Sequence, residues 1–416
     1  MIDWHRLVRA GDQLVCSHMT SEPVALLQSL AESGIAVPFG LMLGVPFTTA
    51  AAALPGGVEI TTFGGMGSAL MLSRSHQLRI LVTGYGGCAR LYSGIGPERS
   101  DIALVSLARS DDGRLWLGAA HGYILAAARR ARLVIAEVND RAPCVAGSAW
   151  PEDIAIEQMV ESSYVPAQPA EGPANEVEMR IADHVAGLLG NGACLQVGIG
   201  SLPSAVLARL SWHRRLGLHS GIFTDALHRL IVAGAMDHSR KPFDTGVAVT
   251  GCVHGSEGLY RYCHLNPAVE LREPAYTHRL EVIAGLPDFV ALNSAIEVDL
   301  VGQVNAEVAG RPDGSRRYVG GVGGLNDFAR AAVQAPGGQS IVALPSRTSA
   351  GRPRVVARLG GPATVAALDA DRVVTEHGVA SLRHASIEQR VRRMLSVAHP
   401  EDREMLQQAA KIQGLI

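Results

Sequence analysis

An open α/β fold built twice along the chain is the architecture this sequence predicts, and three features carry the prediction. Short apolar runs alternate with helical patterns along most of the chain, the arrangement that gives largely parallel sheets covered by helices. A proline-rich break, SYVPAQPAEGPA at residues 163–174, interrupts the alternation, which restarts beyond it. The length of 416 residues accommodates two or three domains of roughly 100–200 residues each.

Taken in order, DQLVCS, PFGLMLG, LRILVTG, DIALVSL and RLVIAEV read as buried strands, being short, aliphatic and bounded mostly by Gly or Asp. EPVALLQSLAESG reads as a helix opened by Ser21 and closed by Gly34. HGYILAAARRA is a second helix, with arginines in its last turn where cations suit the dipole. Past the break come helix NEVEMRIADHVAGLLGNG, strand ACLQVGIG and helix LPSAVLARLS. The domain boundary is placed near residue 170, giving domains of residues 1–170 and 171–416 that are alike in kind: strand, glycine turn, helix.

Composition excludes several classes of function. A formal charge of −2 and a pI near 6.7 give no electrostatic case for nucleic acid or an acidic membrane surface. No stretch approaches 18 apolar residues, and the N-terminus lacks the apolar core of a signal peptide, so a cytoplasmic protein without a membrane span is expected. The six cysteines are scattered, and the one local group, Cys252, His254, Cys263 and His264, matches no standard zinc spacing. Neither a bound metal nor a disulfide framework is expected.

Glycine turns carry the chemical information. Gln196-Val197-Gly198-Ile199-Gly200-Ser201-Leu202-Pro203 leaves a strand and enters a helix. Glycines there let main-chain amides approach an anion or oxyanion at a helix start. A plain packing turn explains the same residues about as well, and Pro203 removes the third glycine of a dinucleotide fingerprint. Gly320-Gly321-Val322-Gly323-Gly324 is poor strand material and marks close backbone approach or a flexible hairpin. Glu137 and Glu376 lie at strand ends and Glu297 and Asp299 alternate on one side of a strand, positions where turn-satisfying or ion-pairing duty competes with chemistry. The remaining stretch is the elbow GLHSGIFTDAL, residues 217–227, whose corner His219-Ser220-Gly221 carries no side chain at its last position.

The ordered series VIAEVND, LQVGIGSLPSAVL, GLHSGIFTDAL, NSAIEVDLVGQVNAE, GGVGGLNDFAR and VVTEHGVASLR resembles the acetyl-CoA hydrolase/transferase family, which includes 4-hydroxybutyrate CoA-transferase. The resemblance covers nearly the whole chain. It implies two related CoA-transferase-like α/β domains with the active site in the cleft between them. It implies an acyl-CoA thioester as the small-molecule partner, with no tightly bound cofactor. A homodimer is one oligomeric state the sequence leaves open. In such enzymes a glutamate at the elbow attacks the thioester and becomes a glutamyl-CoA intermediate, a covalent route that splits one hard step into easier ones. The pattern His-Thr-Glu falls without a gap on His219-Ser220-Gly221, so the glutamate falls on Gly221.

The same resemblance assigns oxyanion donation to the neighbourhood of Val197, Gly198 and Gly200 and to Gly321, Gly323 and Gly324. It places a lysine of the family near Glu257-Gly258 and an asparagine at His278. Without the glutamate, three readings stand: hydrolysis or direct acyl transfer with His219 as base or Ser220 as nucleophile; a nucleophile relocated to Glu297; or a non-catalytic thioester-binding or partner protein.

Overall fold

Strands Gln13–Cys16 (β1), Gly40–Gly44 (β2), Glu59–Thr62 (β3), Leu78–Ile80 (β4), Ile102–Arg109 (β5), Leu133–Asn139 (β6) and Gln158–Ser162 (β7) run parallel in the order β4-β3-β2-β1-β5-β6-β7. They form the sheet of the first of two units in this computed structural model, which describes residues 2–169, 172–310 and 314–416. Five of the strands are the five apolar runs. β3 and β7 are additions: β7 alternates half-buried with exposed residues, so no continuous apolar run marks it. Helix Val24–Glu32 buries Leu26, Leu27 and Leu30 in one cluster with Leu14, Leu41, Ile60 and Leu104, each such leucine stabilising the fold by roughly 1.5–3 kcal/mol.

Ser21 does not cap that helix. Pro23 stands at its N-cap without a side-chain bond, while the Ser21 hydroxyl accepts from the amides of Ala119 and Ala120 and donates to Leu117 O. The stretch read as a linker is also partly fixed. Tyr164 donates its hydroxyl to Glu22 O and accepts from Val24 N, and Gln168 accepts from Glu257 N.

The second unit carries Cys194–Val197 (β8), Gly217–Ser220 (β9), Phe289–Ser294 (β10), Gln339–Ala343 (β11), Arg372–Thr375 (β12) and Gly378–Ser381 (β13). Their order is β9-β8-β10-β11-β12-β13, parallel except for the last pair. Helix Glu176–Ala186 starts where the sequence indicates, with a capping box between Asn175 and Glu178.

A single cut at residue 170 does not describe the chain. The first unit comprises Met1–Ala170 together with Phe223–Asp225 and Val249–Thr277. The reason is hydrogen bonding: Val253 N donates to Ala119 O, His121 N to Gly251 O and Thr20 Oγ1 to Val253 O. Strand Phe223–Thr224 in turn pairs in parallel with Val253–His254. Among the described residues no helix is long and apolar enough to cross a membrane.

Candidate functional site

The elbow begins on β9, every residue of which is buried. β9 runs parallel to β8 with Gly217 opposite Cys194 and Leu218 opposite Leu195. Beyond Ser220 the chain turns, and Ile222 N donates to Ser220 Oγ at 3.3 Å. The Ser220 hydroxyl is therefore a turn brace, which weakens its standing as a nucleophile. Gly221 is not among the residues with positive φ, so its backbone does not demand glycine.

What crowds the position is a neighbour. A Cβ on Gly221 would lie 3.0 Å from His278 Nε2, 3.1 Å from His278 Cε1 and 3.6 Å from Phe328 Cε2. The imidazole of His278 fills the space into which a residue-221 side chain would project. Its ring sits 4.5 Å from that of Phe328, which stacks on Phe289 at 6.3 Å, and Phe289 meets His219 edge-on at 6.5 Å. Gly324 closes on the same imidazole: a Cβ there would come within 2.5 Å of His278 Nε2. Gly221 and Gly324, distant in sequence, thus flank one ring.

Burial decides the protonation of that ring. His278 is 6% exposed, and desolvation, followed by the nearby His219, lowers its pKa from 6.5 to about 3. It is a neutral hydrogen-bonding group around pH 7 and a weak base. His219 is fully buried.

The glycine turns differ from one another. Gly200 has φ +123° and stands at the N-cap of helix Ser201–Arg209 with no side-chain cap, a backbone region open essentially to glycine alone. Gly198 has no such dihedral, and its amide donates to Leu292 O at 2.9 Å. That amide is spent in the β8–β10 ladder, so Gly198 N is withdrawn as an oxyanion donor. Val197 is buried opposite Leu292. Beside the turn, Gln196 and Asn293 exchange amide hydrogen bonds of 3.1 and 2.9 Å, both side chains being buried. This reciprocal pair locks the ends of β8 and β10 and escaped sequence reading, because no motif ties the two residues together. Gly323 has φ +52° with open space around it, and Gly324 leads helix Leu325–Ala332 without a side-chain cap. Gly321 is half-buried in the same loop.

The acidic residues have structural duties. Glu297 Oε1 accepts from Asn305 Nδ2, Gly360 N and Gly361 N. Its carboxylate serves the three-stranded sheet of Val304–Asn305, Glu297–Asp299 and Val355–Val356, so it is not poised as a relocated nucleophile. Asp299 accepts from Val301 N and Gln303 N, Glu137 from Leu26 N and Ser162 Oγ, and Glu376 from Ser346 N and Oγ. In the first unit, Asp225 accepts from Ser256 N and Oγ, and the neighbouring Glu257 is ion-paired to Arg141 at 2.8 Å. Among the described residues, no group of three or more His, Cys, Asp or Glu is placed to hold a metal ion.

Comparison with known proteins agrees with this architecture. Residues 81–174 match the family model described as acetyl-CoA hydrolase/transferase N-terminal domain, and residues 255–410 match that of the C-terminal domain. The chain is 34% identical over 310 residues to 4-hydroxybutyrate coenzyme A transferase of Clostridium kluyveri, covering 74% of this chain and 71% of that protein. Its fold superposes on RipA from Yersinia pestis with TM-score 0.88 at 27% identity, covering 98% of this chain and 96% of RipA. A 4-hydroxybutyrate CoA-transferase from Porphyromonas gingivalis gives TM-score 0.80 at 28% identity, covering 98% and 95% of the two chains.

Proposed function

The chain belongs to the acetyl-CoA hydrolase/transferase family, and on that premise we propose that it acts on an acyl-CoA thioester without forming a glutamyl-CoA intermediate. The observation that carries the reading is Gly221 beneath His278: the elbow position at which the resemblance puts the attacking glutamate has no carboxylate, and an imidazole fills the adjoining space. The acyl group then passes directly to water or to a bound acceptor.

Roles follow from chemistry. Amides of the Gly323-Gly324 loop and of the turn after Gly198 are the proposed donors to the developing oxyanion, with Gly200 supplying the turn's unusual backbone. Preorganised donors of this kind are worth about 2.7–4 kcal/mol each where they have been removed from other enzymes. His278, neutral and weakly basic, orients the carbonyl or the acceptor by hydrogen bonding, and His219 is the base closest in sequence to the corner. Glu297 takes no part. Turnover is therefore slow relative to a covalent route and rests on positioning.

The test is a panel of acyl-CoA thioesters offered to the wild-type chain, with thiol release and product followed together. Saturable thiol release through a single-displacement kinetic pattern is expected. Tight binding without any thiol release would establish the non-catalytic reading instead, and absence of both would remove the thioester reading altogether.

A further inference from the structure

Lysine is rare in this chain. Of 37 lysine and arginine residues, only Lys241 and Lys411 are lysine, and Lys241 is 3% exposed. It lies under β9, the strand that ends at the elbow.

The side of β9 turned away from β8 shows what the lysine does. At Leu216, just before the strand, that side is satisfied by main chain: Leu216 N donates to Ala235 O, and Asp237 N and His238 N donate to Leu216 O. Two residues on, side chains continue the ladder. Leu218 N donates to His238 Nδ1 at 3.1 Å, and Lys241 Nζ donates to Leu218 O at 3.1 Å and to Val247 O at 2.8 Å. Both main-chain polar groups of Leu218 are thereby held three residues before Gly221.

Space and chemistry both select the residue. A Cβ on Gly217 would stand 3.1 Å from Lys241 Cγ and 3.3 Å from Cδ, so the bare glycine lets the lysine stem pass beneath the strand. An ammonium is a compact point donor that can serve two carbonyls from one atom, whereas a guanidinium needs its acceptors in one plane. His238 complements it as an acceptor. Burial, and then the charge of Lys241, lowers the His238 pKa to about 4, which keeps Nδ1 free of a proton toward Leu218 N.

We infer that Lys241 is a positioning residue: threaded beneath Gly217, it clamps Leu218 and so fixes where the corner His219-Ser220-Gly221 is presented. The role in turnover rests on the thioester chemistry proposed for that corner; the clamp itself does not.

The test uses the full chain as wild type, Lys241→Met and Gly217→Ala, the last intruding on the stem without removing the charge. Hydrogen exchange at residues 218–222 is read beside steady-state kinetics with an acyl-CoA. In either variant, exchange at the corner rises about tenfold or more, kcat falls about tenfold and KM stays within about twofold. The double variant loses about as much as Lys241→Met alone, because both changes break one clamp. A merely structural lysine would lower thermal stability while leaving corner exchange and the kcat-to-KM split unchanged, and that result overturns the inference. Additive losses in the double variant overturn it as well. If exchange rises as expected but the wild type turns over no thioester, the clamp stands and the thioester reading falls.

Discussion

Gly221→Glu alone is expected to give only weak CoA-transferase activity, whereas Gly221→Glu combined with His278→Asn gives about a hundredfold more. The new Cβ would sit 3.0 Å from His278 Nε2, tighter than ordinary packing. That imidazole has little room to retreat, being packed against the tilted ring of Phe328 and closed over by Gly324. Overpacking of this kind costs about 1–3 kcal/mol and drives the new side chain off its rotamer. A nucleophile misplaced by about 1 Å loses about a hundredfold in rate. Asn at 278, the residue that the resemblance places there, is smaller and removes the obstruction. The double variant should therefore exceed the single one by about a hundredfold in transfer of CoA to a carboxylate acceptor. Equal activities for the two, with both folded and both binding acyl-CoA, would show that His278 is not what closes the position.

Acid destabilises the folded chain well above the usual carboxylate range. His18 and His278 are lowered to about 3, and His121 and His238 to about 4, with burial the first cause in every case. In the unfolded chain each titrates near 6.5. The sign follows from linkage: between about pH 6.5 and about pH 4 the unfolded state binds protons that the folded state refuses, so stability falls as pH falls through that window. The slope approaches about 1.4 kcal/mol per pH unit for each histidine, and by pH 5 each costs roughly 2 kcal/mol. Glu22, Asp299, Asp369 and Asp371, raised by burial, act in the opposite sense and offset part of the loss. Against a total stability of about 5–15 kcal/mol, the contribution of the four histidines is a large share. Thermal melts from pH 7 to pH 5 should show a steep fall in Tm, reduced by about one histidine's share in His278→Asn. A flat profile would mean that these rings are not held neutral by burial.

Much of the architecture is legible in the residues, and the exceptions have physical causes. β1, β2, β5 and β6 are buried, so their sequences are continuous aliphatic runs. β7 carries a half-polar pattern, and β3 begins on the exposed Glu59, so neither stands out as an apolar run. The return of Val249–Thr277 to the first unit depends on hydrogen bonds to Ala119 and His121, which no local pattern encodes. At the site, the absence of a side chain at Gly221 is plain in the sequence, but its neighbour is not. His278, Gly324 and Phe328 converge on it only through tertiary packing. The status of each glycine is likewise a matter of geometry: Gly200 and Gly323 have positive φ, while Gly198 has its amide tied to Leu292.

Intact-mass measurement of the wild-type chain during acyl-CoA consumption, with and without borohydride, is the most direct test of the central claim. Glutamyl-CoA intermediates add the mass of CoA to the protein and are reduced by borohydride at the modified carboxylate. The account predicts loss of thioester with no CoA or acyl mass on any carboxylate, whether or not the reductant is present. A CoA-sized adduct that forms and decays at the rate of turnover, on Glu297 or on any other glutamate, would contradict it.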